Sequence, residues 1–445
     1  MLKRKIYKNL LEWKVDSNHK PLLVKGARQV GKTFIIKEFG RNEYKSLIHL
    51  DFIKNPDYKK IFENELTPEY IYEQISIRVK YAKFIENDTL IFLDEIQNCP
   101  KARTALKYLR EDRRYDIIAS GSLLGIRYKE EQEDFSVPVG SEIDIEMFPL
   151  DFEEFLWANG IDESKIEILK KYFTTKEKVP RDVNEKFMRY FKTYMFVGGM
   201  PEAVNTYLEN QNIEAVNKKQ NELLKNYQDD IMHYAPSTMK QNILKCYNSI
   251  PEQLSKDYKK FQYSIIEKKG TSKKYENPII WLIEAGMVKK CINVSTPEFP
   301  LRTHEKSSEF KLYMTDIGLL TCLYGFNTQK AIMTDELKTT AKGGIFENAA
   351  FTQLMSKFEN MYYYKNENNT QEIEFMFEDE TEIIPIEVKS KNGATISLND
   401  FIEKHNPKVA YKIIDGNIGV SNTKYTIPYY MLMFDLKGGQ NYEKF

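Results

Sequence analysis

Short apolar runs with polar ends recur along the first 150 residues. They cover residues 22–24, 46–51, 89–93, 116–120 and 142–147. Unbroken apolar runs of this length are typical of strands buried on both faces of a parallel sheet. The last run instead alternates with period two, which predicts an edge strand with one wet face. The pattern therefore predicts an α/β domain built on a parallel sheet.

After Pro149 the spacing of apolar residues becomes helical and stays so to about residue 235. Asp151 and Glu154 have the spacing of a capping box at a helix start. The run Gly198-Gly199-Met200-Pro201 predicts the end of one helix and the start of the next. We expect a helical lid over the functional site of the α/β domain here, and a plain helical bundle without contact to that site is the alternative.

Residues 236–330 combine a helix that ends at Gly286 with a strand, Met287 to Val294. A helix, a glycine and a short strand are typical of the tail of a winged helix-turn-helix. Lysines crowd this stretch, so one face could neutralise the phosphates of double-stranded DNA. They are Lys256, Lys259, Lys260, Lys268, Lys269, Lys273 and Lys274. A protein-binding module and a merely solvated face are the alternatives.

The last hundred residues contain a helix from Gly343 and three strands, 361–364, 372–376 and 383–389. The predicted fold class is thus α/β: a parallel-sheet domain is followed by a helical lid, a winged-helix-like domain and a second α/β domain. The predicted boundaries are 1–150 for the parallel-sheet core, 151–235 for the lid, 236–330 for the winged helix and 335–445 for the second α/β domain.

Charge and cysteine content narrow the protein class. Lysine plus arginine equals aspartate plus glutamate at 65 each, so any attraction to nucleic acid must be local. The four cysteines contain no C-x-x-C pair, which argues against zinc and disulfides and favours a reducing compartment. No apolar stretch approaches the roughly 18 residues of a membrane span. We therefore expect a cytoplasmic protein without a membrane partner, and the sequence leaves any protein partner unknown.

The first strand runs into a phosphate-binding loop with the pattern Gly-x-x-x-x-Gly-Lys-Thr. Its glycines let the backbone amides and the next helix start point at phosphates. We expect Lys32 to contact the β- and γ-phosphates and Thr33 to ligate Mg²⁺. The predicted ATP-binding residues are Gly26, Ala27, Arg28, Gln29, Val30, Gly31, Lys32 and Thr33.

Two carboxylates follow the third apolar run, where a parallel strand would open at its carboxyl edge. Asp94 is the expected second contact to Mg²⁺, and Glu95 the residue that orients or deprotonates the attacking water. The next strand ends in polar residues, and we favour Ser122 over Ser120 for contact with the γ-phosphate or the water. The predicted catalytic residues are thus Glu95, Lys32 and Ser122.

A second candidate site lies near the carboxyl end of the chain. Glu374 and Glu387 end neighbouring predicted strands, and Lys389 shares a strand face with Glu387. With the Val388 carbonyl, these carboxylates could hold a second divalent metal, and Lys389 could polarise a water for phosphodiester attack. Glu347, on the helix that begins near Gly343, completes this predicted nuclease-like site.

The chain resembles AAA-type P-loop ATPases of the STAND and archaeal ATPase group. The resemblance rests on residues 26–33, Leu93-Asp94-Glu95, Ser120-Gly121-Ser122, 148–155 and Gly-Gly-Met-Pro-Glu-Ala at 198–203. Residues 311–320 and Ile-Glu-Val-Lys-Ser at 386–390 are similar to that family's carboxyl-terminal region, whose end is similar to the PD-(D/E)XK nuclease fold. The resemblance implies ATP as the nucleotide, an α/β P-loop NTPase domain of the AAA type at 1–150 and a restriction-endonuclease-like α/β domain at 335–445.

Two departures accompany the resemblance. Ser141 follows Gly140 where many relatives have a basic residue, so one cationic trigger is missing; Arg28, Arg113, Arg114 and Arg127 are candidate substitutes. Glu374 stands where nucleases usually have aspartate. Three hypotheses remain: an ATP-hydrolysing switch, which we favour; an ATP-regulated, metal-dependent DNA nuclease; and a non-catalytic nucleotide-binding interaction protein.

Overall fold

The computed structural model describes residues 2–121, 140–366, 371–390 and 395–436. They fold as two compact units. The N-terminal unit contains Lys3–Phe148 together with Glu284–Gly286, and the C-terminal unit contains Pro149–Ile283 and the chain from Met287 onward. Among the described residues, no helix combines the length and apolar character needed to cross a membrane.

Among the described residues of the N-terminal unit, five parallel strands form a sheet in the order β2-β3-β4-β1-β5. The strands are β1 (Leu22–Lys25), β2 (Ser46–Asp51), β3 (Thr89–Asp94), β4 (Asp116–Gly121) and β5 (Ile143–Glu146). The helices of this unit are α1 (Ile6–Val15), α2 (Lys32–Glu43), α3 (Pro68–Arg78) and α4 (Pro100–Asp112). This confirms the α/β domain with a parallel sheet.

Position in this sheet explains the burial of its strands. Every residue of β3 is buried, because β3 lies between two strands and its apolar side chains join a core with α3 and α4. β5 is largely exposed because it pairs only with β1 among the described strands. The alternating sequence of β5 correctly predicts this edge position.

Helices fill the first part of the C-terminal unit and recur between its strands. They are α5 (Phe152–Ala158), α6 (Glu163–Thr175), α7 (Arg181–Val197), α8 (Pro201–Asn210), α9 (Ile213–Tyr234), α10 (Lys240–Ser255), α11 (Tyr263–Ile266), α12 (Ser272–Glu284), α13 (Ile317–Leu323), α14 (Phe326–Met333), α15 (Ala341–Leu354) and α16 (Ile396–His405). The capping box is confirmed: the Asp151 carboxylate accepts from the Glu154 amide, and Glu154 accepts from the Asp151 amide.

Within the C-terminal unit, α7 ends against the start of α13 at near backbone contact. A Cβ on Gly318 would lie 2.6 Å from the Gly198 Cα, so neither segment has room for a side chain there. The buried Asp316 carboxylate caps α13 by accepting from the Leu319 amide at 2.8 Å, and it also accepts from the Gly199 amide at 2.7 Å. Burial raises the pKa of Asp316 to about 6, although these backbone donors oppose the shift.

In the part of the C-terminal unit that the structure describes, eight strands form a mixed sheet in the order β12-β13-β11-β10-β9-β8-β6-β7. They are β6 (Val288–Val294), β7 (Glu305–Met314), β8 (Tyr362–Lys365), β9 (Glu372–Asp379), β10 (Glu382–Lys389), β11 (Ala410–Ile414), β12 (Gly419–Ser421) and β13 (Lys424–Pro428). The β8–β9–β10 segment is antiparallel, whereas β10, β11 and β13 run parallel.

The hairpin β6–β7 differs from the predicted wing of a separate winged-helix domain. β6 pairs in parallel with β8, from Ile292 opposite Tyr362 to Val294 opposite Tyr364. The sheet therefore continues across the boundary that we predict between residues 330 and 335. The pattern of a helix, a glycine and a strand is the same for the wing of a winged helix and for a hairpin within a larger sheet. The local sequence carries no information about the distant strand that pairs with β6.

Candidate functional site

The loop between β1 and α2 has a backbone that its glycines make possible. Gly31 lies at φ +99° immediately before α2. Gly26 lies at φ +149°, and a Cβ there would be 2.2 Å from the Met147 carbonyl oxygen. Gln29 also has a positive φ, 64°. The loop thus curls against the end of β5 and leads directly into the amino end of a helix, which favours anion binding.

Lys32 folds back over this loop. Its Nζ donates to the Gly26 carbonyl at 2.9 Å and to the Ala27 carbonyl at 2.8 Å. Burial lowers the pKa of Lys32 to about 8, although Glu95 and Asp94 oppose the shift. A buried ammonium that donates its hydrogen bonds to neutral carbonyls still has a strong electrostatic preference for an anion.

Arg4 braces the same loop from outside the motif. Its buried guanidinium donates to the Val30 carbonyl at 2.9 Å and to the Phe148 carbonyl at 2.6 Å. The fork of the guanidinium therefore ties the loop to the chain that follows β5. The sequence offers only a basic run at residues 3–5, which is indistinguishable from an exposed charged segment.

Asp94, at the end of β3, is the hub of the site. Its Oδ1 accepts from the Thr33 hydroxyl at 3.1 Å and also from the Ser120 hydroxyl, and its Oδ2 lies 3.0 Å from the His49 Nε2. The carboxylate is 2% exposed. The structure thus brings Lys32, Thr33 and Asp94 together around the phosphate-binding loop.

Of the two candidate serines at the end of β4, Ser120 and Ser122, the structure describes Ser120. Ser120, which we ranked below Ser122, donates to Asp94 and accepts from the Glu95 amide at 3.4 Å. Ser122 and Arg127 lie outside the described residues. The signal that favours Ser120 is its position as a polar residue at the buried end of β4, the strand next to β3.

Glu95 sits at a bend immediately beyond β3. Its backbone has a positive φ of 57°, which is uncommon for a residue other than glycine, and its Oε2 accepts from the Gln97 Nε2 at 2.5 Å. Such conformations are often kept at functional sites. The chain thus leaves the line of β3 immediately after Asp94.

The donors around Asp94 fit a hard divalent cation. Among the described residues, one group of His, Asp and Glu side chains brings three ligand atoms within 4.8 Å of one another: His49, Asp51 and Asp94. Carboxylate and hydroxyl oxygens suit Mg²⁺. Asp94 and the Thr33 hydroxyl that contacts it are therefore suited to the predicted metal role.

Three loop residues complete the predicted ATP-binding set. Ala27 has a close neighbour within the N-terminal unit: a Cβ on Gly286 would lie 2.9 Å from the Ala27 amide nitrogen. Gln29 is exposed and Arg28 is half-buried.

Of the arginines proposed as substitutes for a cationic trigger, Arg114 pairs with Asp112 and Glu69, at 2.7 Å each.

In the C-terminal unit, three of the four residues of the predicted nuclease-like site meet. Lys389 Nζ lies 3.2 Å from both Glu374 Oε1 and Glu387 Oε1. Burial raises the pKa of Glu374 to about 7 and also raises that of Glu387. Glu374 Oε2 accepts from the Val388 amide at 3.3 Å, whereas Glu387 Oε2 is buried without a hydrogen-bond partner in the described chain.

Glu347 interacts electrostatically with Glu374 and is itself part of a buried ion-pair network. Its Oε1 accepts from Lys311 at 2.8 Å and from the Tyr313 hydroxyl, and its Oε2 lies 3.1 Å from Lys259. Burial alone would raise the pKa of Glu347, but the two lysines outweigh it and lower the pKa. The predicted role of Glu347 as a metal ligand thus competes with an established set of cationic partners.

The lysine-rich stretch is largely neutralised by glutamates. Four of its seven lysines form pairs: Lys256 with Glu252, Lys259 with Glu347, Lys260 with Glu309 and Lys274 with Glu267. Lys268, Lys269 and Lys273 are exposed and make no ion pair with any described residue. The continuous basic face that the sequence suggests is therefore reduced to these three side chains.

Comparison with known families assigns the first part of the chain. Residues 18–156 match the family described as AAA domain. Residues 188–330 and 342–432 match two families described as domains of unknown function, DUF8612 and DUF4143. No curated protein matches the chain. Residues 18–156 are therefore similar to the AAA domain family, in the part of the chain where the sequence predicts an ATPase core.

Solved structures give weak overall similarities. The Walker-type ATPase PABY2304 of Pyrococcus abyssi is 14% identical, with a TM-score of 0.42 over 73% of this chain and 96% of its own. The Aeropyrum pernix ORC2 protein is 13% identical, with a TM-score of 0.36 over 75% and 92%. AMPPCP-bound DnaA from Aquifex aeolicus is 14% identical, with a TM-score of 0.29 over 64% and 90%. Similarities this weak carry no functional conclusion.

Proposed function

We propose that the chain binds ATP and hydrolyses it in a Mg²⁺-dependent reaction, and that the cycle serves as a nucleotide-driven switch. One observation carries the proposal: Asp94 accepts from both the Thr33 hydroxyl of the phosphate-binding loop and the Ser120 hydroxyl of the neighbouring strand. A loop, a carboxylate and a polar strand end in contact are the parts that phosphoryl transfer requires. The match of residues 18–156 to the AAA domain family supports ATP as the nucleotide.

Each residue has a distinct role in this proposal. Lys32 leaves the Gly26 and Ala27 carbonyls and contacts the β- and γ-phosphates, to which the loop amides also donate. Thr33 and Asp94 would hold Mg²⁺, which neutralises charge on those phosphates.

Glu95 orients the attacking water and accepts its proton. Gln97, which now donates to Glu95, holds this carboxylate until a water replaces the contact. Ser120 keeps Asp94 in place. Ser122 remains a prediction.

Phosphate release from ATP tests the proposal. Wild type should release phosphate only with Mg²⁺, and Glu95→Gln should bind ATP but lose turnover about 10²-fold or more, since general-base catalysis contributes about 10²–10⁴. Glu86→Gln removes an exposed carboxylate of the same unit and should behave as wild type. Equal turnover in wild type and Glu95→Gln would remove Glu95 from the mechanism. ATP binding without turnover in wild type would favour the non-catalytic interaction protein.

A second candidate function is a metal-dependent DNA nuclease in the C-terminal unit. The buried Glu387 oxygen without a partner favours it, because such an oxygen is costly unless a ligand completes the site. Glu374 and Glu387 would hold the metal, and Lys389 would polarise the water. The exposed Lys268, Lys269 and Lys273 are the candidate contacts to double-stranded DNA.

Nicking of supercoiled plasmid with Mg²⁺ or Mn²⁺, with and without ATP, tests the nuclease. Glu387→Ala and Lys389→Ala should each abolish nicking. Glu382→Ala changes a more exposed glutamate at the start of the same strand and should leave nicking intact. The nuclease would be rejected if wild type and Glu387→Ala nick equally.

A further inference from the structure

His49 contacts the metal-binding carboxylate of the proposed ATPase site, and no motif in the sequence identifies it. It lies on β2, the strand next to β3, in register with Phe92. Its imidazole stacks on the Phe92 ring, with centroids 4.9 Å apart and planes 14° apart. Phe92 and Asp94 point to the same face of β3 because side chains alternate along a strand. The stacked ring therefore reaches diagonally from the level of Phe92 to Asp94.

The hydrogen bond fixes both the imidazole tautomer and the carboxylate. His49 Nε2 lies 3.0 Å from Asp94 Oδ2. An ionised carboxylate only accepts, so Nε2 must carry the proton. Asp94 Oδ1 already accepts from Thr33 and Ser120. With His49 on the other oxygen, the carboxylate is held at both ends and cannot rotate about its terminal bond.

The neighbouring aspartate does not compete for His49. Asp51 lies directly opposite Asp94 in the parallel register, so two carboxylates stand side by side. The Asp51 Oδ1 accepts from the amides of Ile53 at 3.0 Å and Lys54 at 2.8 Å, in the turn that follows β2. Asp51 is thus bound by its own turn, and the imidazole serves Asp94.

We propose that His49 is a positioning residue that orients Asp94 for Mg²⁺ in the nucleotide site. The inference rests on the proposed ATPase function and deepens it. Partners that orient a metal ligand without touching the metal commonly change metal affinity or activity by about 10–100-fold. Loss of His49 should therefore raise the Mg²⁺ concentration needed for half-maximal turnover, while binding of ATP without Mg²⁺ stays unchanged.

Two substitutions separate the hydrogen bond from the packing. His49→Gln places an amide N–H near the position of Nε2 and loses the stacking, whereas His49→Phe keeps a stacked ring and loses the donor. His19→Phe is the matched control, because His19 Nε2 also lies close to a carboxylate, that of Asp116 at 2.9 Å. Asp116 begins β4 and so lies at the amino ends of the parallel strands, whereas Asp94 lies at their carboxyl ends.

The measurements are the Mg²⁺ dependence of phosphate release and ATP affinity with Mg²⁺ or with EDTA, with thermal unfolding as the folding control. We expect His49→Phe to need about tenfold more Mg²⁺ and to lose the same factor from the Mg²⁺-dependent gain in ATP affinity, at unchanged affinity in EDTA. His49→Gln should stay within about threefold of wild type, and His19→Phe should match wild type.

The outcomes distinguish the inference from the function it rests on. Wild-type Mg²⁺ dependence in His49→Phe, with turnover intact, overturns the inference alone. A loss in His49→Gln but not in His49→Phe also overturns it, because ring packing would then be the role. If wild type binds ATP without hydrolysing it, the Mg²⁺-dependent gain in affinity gives the same comparison. If wild type binds no ATP, the proposed function fails and the inference fails with it.

Discussion

Removing the ammonium of Lys311 should destabilise the C-terminal unit strongly. Lys311 is 0% exposed, and its Nζ lies 2.8 Å from Glu347 Oε1 and 2.6 Å from Glu372 Oε1. Breaking a buried ion pair by deleting one partner costs about 3–5 kcal/mol, because the other charge is left without compensation. Lys259 and Lys365 still contact these glutamates, at 3.1 Å each, so we expect Lys311→Met to cost about 3 kcal/mol, the lower end of that range.

Tryptophan fluorescence can report on this unit alone. The chain has three tryptophans: Trp13 in the N-terminal unit, and Trp157 and Trp281 in the C-terminal unit. In a Trp13→Phe background, urea unfolding followed by fluorescence should show the midpoint of the C-terminal unit shifting down in Lys311→Met. If the slope of the unfolding free energy against urea concentration is unchanged, the shifted midpoint reports a change in stability and not in the surface exposed on unfolding.

Two further variants make the reasoning refutable. Lys260→Met removes a lysine that pairs with Glu309 at 2.9 Å, with both side chains about one third exposed, and should cost under about 1 kcal/mol. Combining Lys311→Met with Glu372→Gln also removes the carboxylate charge that has lost its Lys311 partner, and should recover part of the lost stability. Equal costs for Lys311→Met and Lys260→Met, or no recovery in the double variant, would refute a buried network as the source of stability.

Other predictions concern Arg4, which ties the phosphate-binding loop to the chain after β5, and the buried Asp316. Arg4→Met should lower ATP affinity about tenfold in a titration, since imprecise placement of binding groups is costly; Arg4→Lys should not restore it, because a single ammonium lacks the planar fork that reaches both carbonyls. Asp316 has a raised pKa of about 6, so its contribution to stability is present below about pH 4 and is lost as pH rises through about 6, by up to about 3 kcal/mol. Asp316→Asn should lack this loss in urea unfolding from pH 4 to 7, and an identical pH profile in both proteins would contradict it.

Local signals in the sequence account for the sheet of the N-terminal unit. Apolar runs predict its strands because a strand buried on both faces needs no particular period. The capping box at Asp151 and Glu154 is likewise local, since both partners lie within one helical turn. The phosphate-binding loop is recognisable for the same reason: glycines, lysine and threonine stand at fixed positions next to a strand.

Contacts between distant residues are not recoverable in this way. Arg4 reaches Val30 and Phe148 from a segment that reads as an exposed basic start, and His49 reads as one polar residue of a half-buried strand. Glu347 is drawn to Lys311 and Lys259 by tertiary packing, which the spacing of carboxylates does not encode. The cytoplasmic location remains a prediction.

The continuous eight-stranded sheet has a consequence for synthesis on the ribosome. The hairpin β6–β7 is complete at Met314, but its neighbour β8 begins at Tyr362, roughly 50 residues later. At about 5–20 residues per second, β6 waits on the order of a few seconds with one edge unpaired. Such an edge is a template for pairing between nascent chains, and charged side chains on it are a common defence. Lys289 and Lys290 of β6 precede the segment Ile292–Val294 that pairs with β8, so two charges flank the edge that stays unpaired during this interval.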